Sequence, residues 1–270
     1  MGARRGDQWD PDTYRRFEDD RARPFHDLVA MLRPVPGGTM VDLGCGTGEL
    51  TAQAARTLGV ASATGIDNSP DMLAAAPRGD QDDRGDQGLR FELADIASLD
   101  ERPPVDVVLA NASLQWVPDH RAVLADWVAH LRPGGQLAVQ VPANATHPSH
   151  TTITEVLHEQ PWFDELGGNP PEDPVAASVL GPAEYAEVLW SLGATEQLVR
   201  LQVYGMEMSG PDAVVEWTSG TTLVRVRRAL PPERYEAFVE RYRERLAERL
   251  EHRTPYYYAF QRILMWARFA

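Results

Sequence analysis

Three kinds of residue in this chain could do chemistry: closely spaced glycines, polar residues at the ends of apolar runs, and arginines. The stretch Thr39-Met40-Val41-Asp42-Leu43-Gly44-Cys45-Gly46-Thr47-Gly48-Glu49-Leu50 reads as a buried strand, a tight turn and a helix starting near Glu49 or Leu50. Glycines there keep side chains away, so a ligand can lie against the backbone. Asp42 offers a carboxylate to a cation or a hydroxyl. A second apolar run, Ser62 to Asp67, ends in an acid about 20 residues past the glycines, where a carboxylate can grip ribose hydroxyls. Leu89 to Leu93 leads into Asp95-Ile96, and Val105 to Ala110 into Asn111. In an open parallel sheet these polar ends share one crevice. Gly-x-Gly alone is a weak signal, since a purely structural turn or a nicotinamide enzyme would show it too.

The elements that position these residues follow from the pattern around them. Strand–helix alternation from Pro34 to Pro142 predicts a doubly wound α/β core. Asn68-Ser69-Pro70 caps a helix carrying Met72. Pro118-Asp119 opens a helix whose buried stripe runs Val123, Leu124, Trp127, Val128 and Leu131. Arg132 to Gly135 reads as a turn before a strand over Gln136 to Val141. The alternation then breaks. Residues 143–181 are too long for a plain connection and read as an inserted cap with two short helices. A helix over Pro182 to Leu192 and a strand over Thr195 to Met208 return to the core. Pro211 to Arg228 and Pro232 to Arg253 read as two helices of a second insertion, and Tyr256 to Phe269 as a last strand. The expected organisation is a helical lid at 1–33, a core at 34–142, a cap at 143–181, core completion at 182–208 and 255–270, and a helical insertion at 209–254.

Composition narrows the partners. The formal net charge is −14, which argues against nucleic acid or an anionic membrane. All 26 basic residues are arginine. The single Cys45 cannot form an internal disulfide. There is no apolar signal-type segment at the start and no bilayer-length apolar run. The expectation is a soluble cytoplasmic protein, monomer or weak homodimer, acting on a small molecule. The histidines show no metal-ligand spacing, so no metal is expected.

Val41-Asp42-Leu43-Gly44-Cys45-Gly46-Thr47-Gly48 resembles motif I of the class I S-adenosylmethionine-dependent methyltransferases, with Gly-x-Gly-x-Gly rather than the Gly-x-Gly-x-x-Gly of dinucleotide enzymes. Further segments narrow the resemblance. Asn111-Ala112-Ser113-Leu114-Gln115-Trp116-Val117-Pro118-Asp119-His120, Leu137 to Pro142, Trp9-Asp10-Pro11, Tyr14 and Arg21-x-Arg23-Pro24 are similar to the trans-aconitate 2-methyltransferases. So are Pro148-Ser149-His150, Trp217-x-x-Gly220-Thr221-Thr222-Leu223 and Phe260-x-Arg262. The run Leu223 to Arg228 departs from the family's Leu-Arg-Pro, which leaves open which arginine meets a substrate.

The resemblance implies a Rossmann-like, doubly wound sheet of seven strands, mostly parallel with one antiparallel strand, bearing helical cap insertions. It implies methyl transfer from S-adenosyl-L-methionine to a carboxylate oxygen, giving a monomethyl ester and S-adenosyl-L-homocysteine. A carboxylate is already a nucleophile at neutral pH, so no catalytic residue is assigned; proximity and orientation do the work. Cofactor contacts are expected from Asp42, Gly44, Cys45, Gly46, Asp67, Asn68, Met72, Asp95, Ile96, Asn111 and Trp116. Substrate contacts are expected from Tyr14, Arg21, Arg23, Gln115, Trp116, His150, Arg225 and Arg262, with Arg227 a further candidate, because guanidinium binds carboxylate. The residues equally allow Gln115 and His150 to be helix caps and Trp116 to be core. Alternatives are an O-methyltransferase for another small acid or a natural-product hydroxyl, and a non-catalytic adenosine-ligand-binding protein.

Overall fold

A computed structural model describes residues 20, 22–76, 88–99 and 102–270. Tyr14, Arg21 and most of the expected lid lie outside the described residues. Among those described, seven strands make one sheet in the order β3-β2-β1-β4-β5-β7-β6. They are β1 (Thr39–Leu43), β2 (Ser62–Asp67), β3 (Leu89–Leu93), β4 (Val105–Asn111), β5 (Leu131–Pro142), β6 (Ala194–Met208) and β7 (Tyr256–Phe269). The first five pair in parallel, and β7 lies antiparallel between β5 and β6. The order reverses between β1 and β4, which opens a crevice at the carboxyl ends of those strands.

Strands β1, β4 and β5 are apolar on both faces because helices cover both faces. One face packs Met40, Val107, Leu109, Ala138 and Leu264 against Phe25 and Leu28 of α1, a helix over 22–29. The other packs Val41, Val108, Leu137 and Met265 against Trp127 of α4 (His120–Ala129) and Leu189 of α8 (Pro182–Ser191). Helices α2 (Glu49–Leu58) and α3 (Pro70–Ala74) follow β1 and β2. Ser69 caps α3 through Met72 N at 3.4 Å.

The two long insertions supply α5 (Pro148–Leu157), α6 (Trp162–Glu165), α7 (Pro174–Ser178), α9 (Pro211–Ser219), α10 (Val224–Ala229) and α11 (Pro232–Arg249). Helix α11 packs on α5 and α9, and this group joins the core on the α1 face through Trp217, Tyr258 and Phe260. Helix α7 instead sits on the short 3-10 turn Leu114–Trp116 that follows β4. The cap therefore reaches the crevice.

Several expectations need correcting. Residues 143–181 carry three short helices rather than two. Pro211 to Arg228 is not one helix: it breaks at 220–223, where Leu223 N returns to Thr218 O at 3.0 Å. The last helix ends at Arg249, short of Arg253. Strand β5 starts at Leu131, which leaves the α4 stripe. The Arg132–Gly135 turn becomes a register shift within the strand, between Val105↔Leu131 and Val107↔Gln136.

Candidate functional site

A cavity of about 270 Å³ opens at the switch point, lined by Asp42, Gly44, Cys45, Gly46, Thr47, Leu50, Met72 and Asn111. Its floor is backbone. Gly44 and Cys45 donate to Ile66 O at 2.7 and 3.0 Å, which holds the loop onto the end of β2. The glycines differ in role. Gly44 has φ +79° and a Cβ there would meet Ser113 Cβ at 2.2 Å; a Cβ on Gly48 would meet the Phe91 ring at 2.2 Å. Those two are small because protein packs against them, not because a ligand does. Gly46 alone of the three, at φ +57°, would point a Cβ into open space.

Asp42 is buried, accepts a hydrogen bond from Thr51 Oγ1 at 2.5 Å, and has its pKa pushed up from 3.8 to about 6 by burial and by Asp67, against the Thr51 bond. Asp67 accepts from Gly46 N and Ser69 N, both at 2.9 Å. Its oxygens each keep a lone pair, so it fixes the loop while still facing it. Burial and the two acids push the Cys45 thiol up to about 12, which makes it an inert neighbour. Asn111 Oδ1 is buried with no partner. An unmatched acceptor and the Asp42 carboxylate on one cavity, with Asp67 bonded to its loop, suit a ligand that carries N–H or O–H donors and positive charge. Met72 borders the same cavity. Asn68 and Asp95 are exposed, and Asp95 Oδ1 accepts from Ala97 N at 2.9 Å. Ile96 is buried in the opposite-face core, with its carbonyl taken by Trp127 Nε1 at 2.8 Å.

A second group of polar side chains lies on the turn after β4 and on the cap whose α7 packs against that turn. Gln115 is buried, donates from Nε2 to Ala112 O at 2.6 Å, and leaves Oε1 unmatched. Trp116 beside it is 52% exposed. His150 of α5 pairs through Nδ1 with Asp173 Oδ2 at 2.8 Å and faces Thr222 Oγ1 through Nε2 at 3.3 Å. Asp173 also caps α7 through Val175 N. Burial alone would raise the Asp173 pKa, but His150, Arg225 and Val175 N bring it below the usual range. Arg225 is buried, which lowers its pKa against the pull of Asp173.

The guanidinium of Arg225 donates to Pro171 O at 2.8 Å and Thr154 Oγ1 at 2.9 Å, leaving only Nε unmatched. Its terminal fork is therefore engaged by the cap and is not offered to a ligand as a bidentate clamp. Arg262 of β7 stands opposite Pro142, with its guanidinium 5.0 Å from the Phe260 ring centroid. The structure does not bring Arg23 or Arg227 to the cavity. Arg23 stacks over Tyr204 and donates to Gly205 O on the edge strand β6, and exposed Arg227 lies over Tyr235.

Comparison with known proteins decides the family. Residues 40–135 match the model of a methyltransferase domain. The trans-aconitate 2-methyltransferase of Deinococcus radiodurans is 42% identical over 264 residues, covering 96% of this chain and 97% of that protein. The chain belongs to the trans-aconitate 2-methyltransferase family. The family member of Streptomyces avermitilis is 40% identical over 89% of this chain and 88% of its own length. Among solved structures, phosphoethanolamine N-methyltransferase 2 of Haemonchus contortus, in complex with S-adenosyl-L-methionine, gives a TM-score of 0.53 at 16% identity, covering 92% of this chain and 52% of that chain. That likeness is one of fold.

Sequence reasoning about this family member missed Thr47 and Leu50 on the cavity wall, Asp173 and Thr222 around His150, and Gln140 beside Asn111. Thr47 and Leu50 stood inside the quoted glycine motif and Gln140 inside a quoted strand. Asp173 carried a weaker signal, as the residue before Pro174 at a helix start.

Proposed function

We propose that this chain transfers a methyl group from S-adenosyl-L-methionine to a carboxylate oxygen of trans-aconitate, giving a monomethyl ester. The observation that carries the reading is the cavity at the switch point, which holds Asp42 and the unmatched Asn111 oxygen, with the cap's α7 and its His150–Asp173 pair packed on the turn that follows β4. The family relatives named for trans-aconitate support the acceptor.

The cavity fits the cofactor. Asp42 and Asp67 would meet its cationic and hydroxylated parts, Gly44, Cys45 and Gly46 its flank, Met72 its base, and Asn111 an N–H of its amino-acid tail. When bound, the cofactor supplies an electrophilic methyl group on a sulfonium. The chain's own residues do the rest. Acceptor carboxylates have pKa values near ~4 and need no base, and the acid Asp42 is placed to bind, not to abstract a proton. Arg262, and His150 on exchanging its Thr222 contact, would hold acceptor carboxylates; His150 and then Arg225 keep Asp173 charged, and Arg225 holds the cap packed. Gln115 and Trp116 border the transfer path, and the cap excludes water so that orientation supplies the rate. On a chain of net charge −14 this attraction is local, within a Debye length of about 8 Å.

The test is methyl transfer across a panel of acceptors. Trans-aconitate should give the highest kcat/KM, other di- and tricarboxylates lower values, and its neutral trimethyl ester neither turnover nor inhibition. A neutral phenol or alcohol turned over faster than every polycarboxylate would replace the acceptor assignment.

A further inference from the structure

Strand β5 buries two glutamines on the same face, and only one of them is accounted for by the fold. Gln136 has both ends of its amide matched: Oε1 accepts from Arg33 N and Trp266 Nε1, each at 2.9 Å, and Nε2 donates to Arg33 O at 3.0 Å. It ties the chain after α1 to the sheet. Gln140, four residues on and 1% exposed, has an Nε2 with no partner. Its flanking neighbours on that face, Ala138 along β5 and Leu264 across on β7, are apolar. A buried amide donor without an acceptor destabilises the fold, and an apolar side chain of the same shape would pack there without that cost.

The position of Gln140 says what would satisfy it. It pairs in register with Asn111, whose Oδ1 is also buried and unmatched. The two unmatched atoms are of opposite kind. The acceptor belongs to Asn111, which lines the cavity that Asp42 also borders. The donor, Gln140 Nε2, stands one strand further toward Arg262, which is opposite Pro142. Across the carboxyl ends the polar groups therefore run from Asp42 through Asn111 and Gln140 to Arg262, from acceptors to donors. We infer that Gln140 is a specificity-determining residue of the acceptor subsite: its Nε2–H donates to one oxygen of the carboxylate being methylated and leaves the other oxygen turned toward the cofactor. The inference rests on the carboxylate-acceptor reading given above.

The experiment uses the full-length enzyme with trans-aconitate. In Gln140→Met, which keeps length and removes the donor, KM for trans-aconitate should rise about ten- to a hundredfold, the range for a lost hydrogen bond to a charged group. Cofactor Kd by calorimetry should stay within about twofold. Wild-type KM in this variant overturns the inference. If Gln140→Met does not fold, Gln140→Glu tests the same atom. Its introduced carboxyl repels the acceptor when ionised and donates when protonated. The ratio of variant to wild-type KM should then fall from about pH 8.5 to about pH 6.5, since burial raises a carboxyl pKa. A ratio that stays flat across that range overturns the inference as well. Failure of the underlying reading looks different: wild type itself would then not turn over trans-aconitate.

Discussion

The two walls of the crevice are made in different ways. The cofactor wall is a loop: its shape comes from backbone N–H groups of the β1–α2 turn bound to Ile66 O and to the Asp67 carboxylate at the end of the neighbouring strand β2. The proposed acceptor wall is assembled from side chains of separate segments, with His150 on α5, Asp173 at the start of α7, and Thr222 and Arg225 at the start of α10. A backbone-built wall tolerates side-chain change and fails when a Cβ intrudes. A side-chain-built wall fails when one member of its charge network is removed.

The largest expected effect sharpens that contrast within the loop itself. Gly44→Val places a Cβ 2.2 Å from Ser113 at φ +79°, and overpacking together with left-handed strain should cost about 3–5 kcal/mol. Thermal denaturation should show it as a large fall in Tm. A near-wild-type Tm would mean that the loop and the Ser113 turn are not locked together. Next, Arg225→Leu leaves Pro171 O and Thr154 Oγ1 without their donor and removes a positive charge near Asp173 that adds to the His150 contact, at a cost of about 1–3 kcal/mol. Urea denaturation should report that loss, and cofactor affinity of the folded fraction should be unchanged. A matching loss of cofactor affinity would mean that the two walls are one unit.

Asp42→Asn should act in the opposite direction. The folded Asp42 pKa is raised from 3.8 to about 6. Stability from its protonated form is complete below about pH 4 and is lost as pH rises through about 6, leaving a penalty at neutral pH of about 2–3 kcal/mol. Asp42→Asn removes that penalty, so its Tm should exceed wild type at neutral pH and converge with it near pH 4, while cofactor binding weakens. A variant less stable at neutral pH would show that the Thr51 hydrogen bond outweighs burial. The smallest effect on stability is expected for Gly46→Ala. Its Cβ meets nothing within 4 Å, so only left-handed strain of about 1–2 kcal/mol applies. Titration calorimetry should nevertheless show weaker cofactor binding, and equal losses of stability in Gly44→Ala and Gly46→Ala would erase the distinction between the two positions.

The same contrast explains what could be read before the structure. The glycine loop, the strand ends at Asp67 and Asn111, and β7 over Tyr256–Phe269 follow from contiguous patterns of burial and turn chemistry. The cavity lining is in turn mostly one short segment. The His150–Asp173–Arg225 cluster joins residues 75 positions apart at its extremes, and local pattern carries no pairing information at that range. Arginine type alone suggested a fork for the acceptor. It could not reveal that Pro171 O and Thr154 would engage the fork of Arg225, or that Tyr204 would hold Arg23 at the sheet edge. The break between α9 and α10 was hidden because Gly220 and two threonines follow an otherwise continuous apolar stripe. The register shift in β5 was hidden for a related reason: Pro133-Gly134-Gly135 looks like a turn whether or not a strand runs through it.

The central claim is that opposed walls bring a methyl donor to a carboxylate oxygen without a general base. The most direct test follows an isotope-labelled methyl group from the cofactor into trans-aconitate and locates it by NMR. The account predicts a single labelled ester methoxy group per product molecule, released as methanol by mild alkali, with transfer undiminished as pH falls from about 8.5 to about 6.5, since the acceptor stays ionised well above its pKa near ~4. Label in an alkali-stable ether, or transfer that falls tenfold per pH unit across that range as a deprotonating base would require, would contradict it.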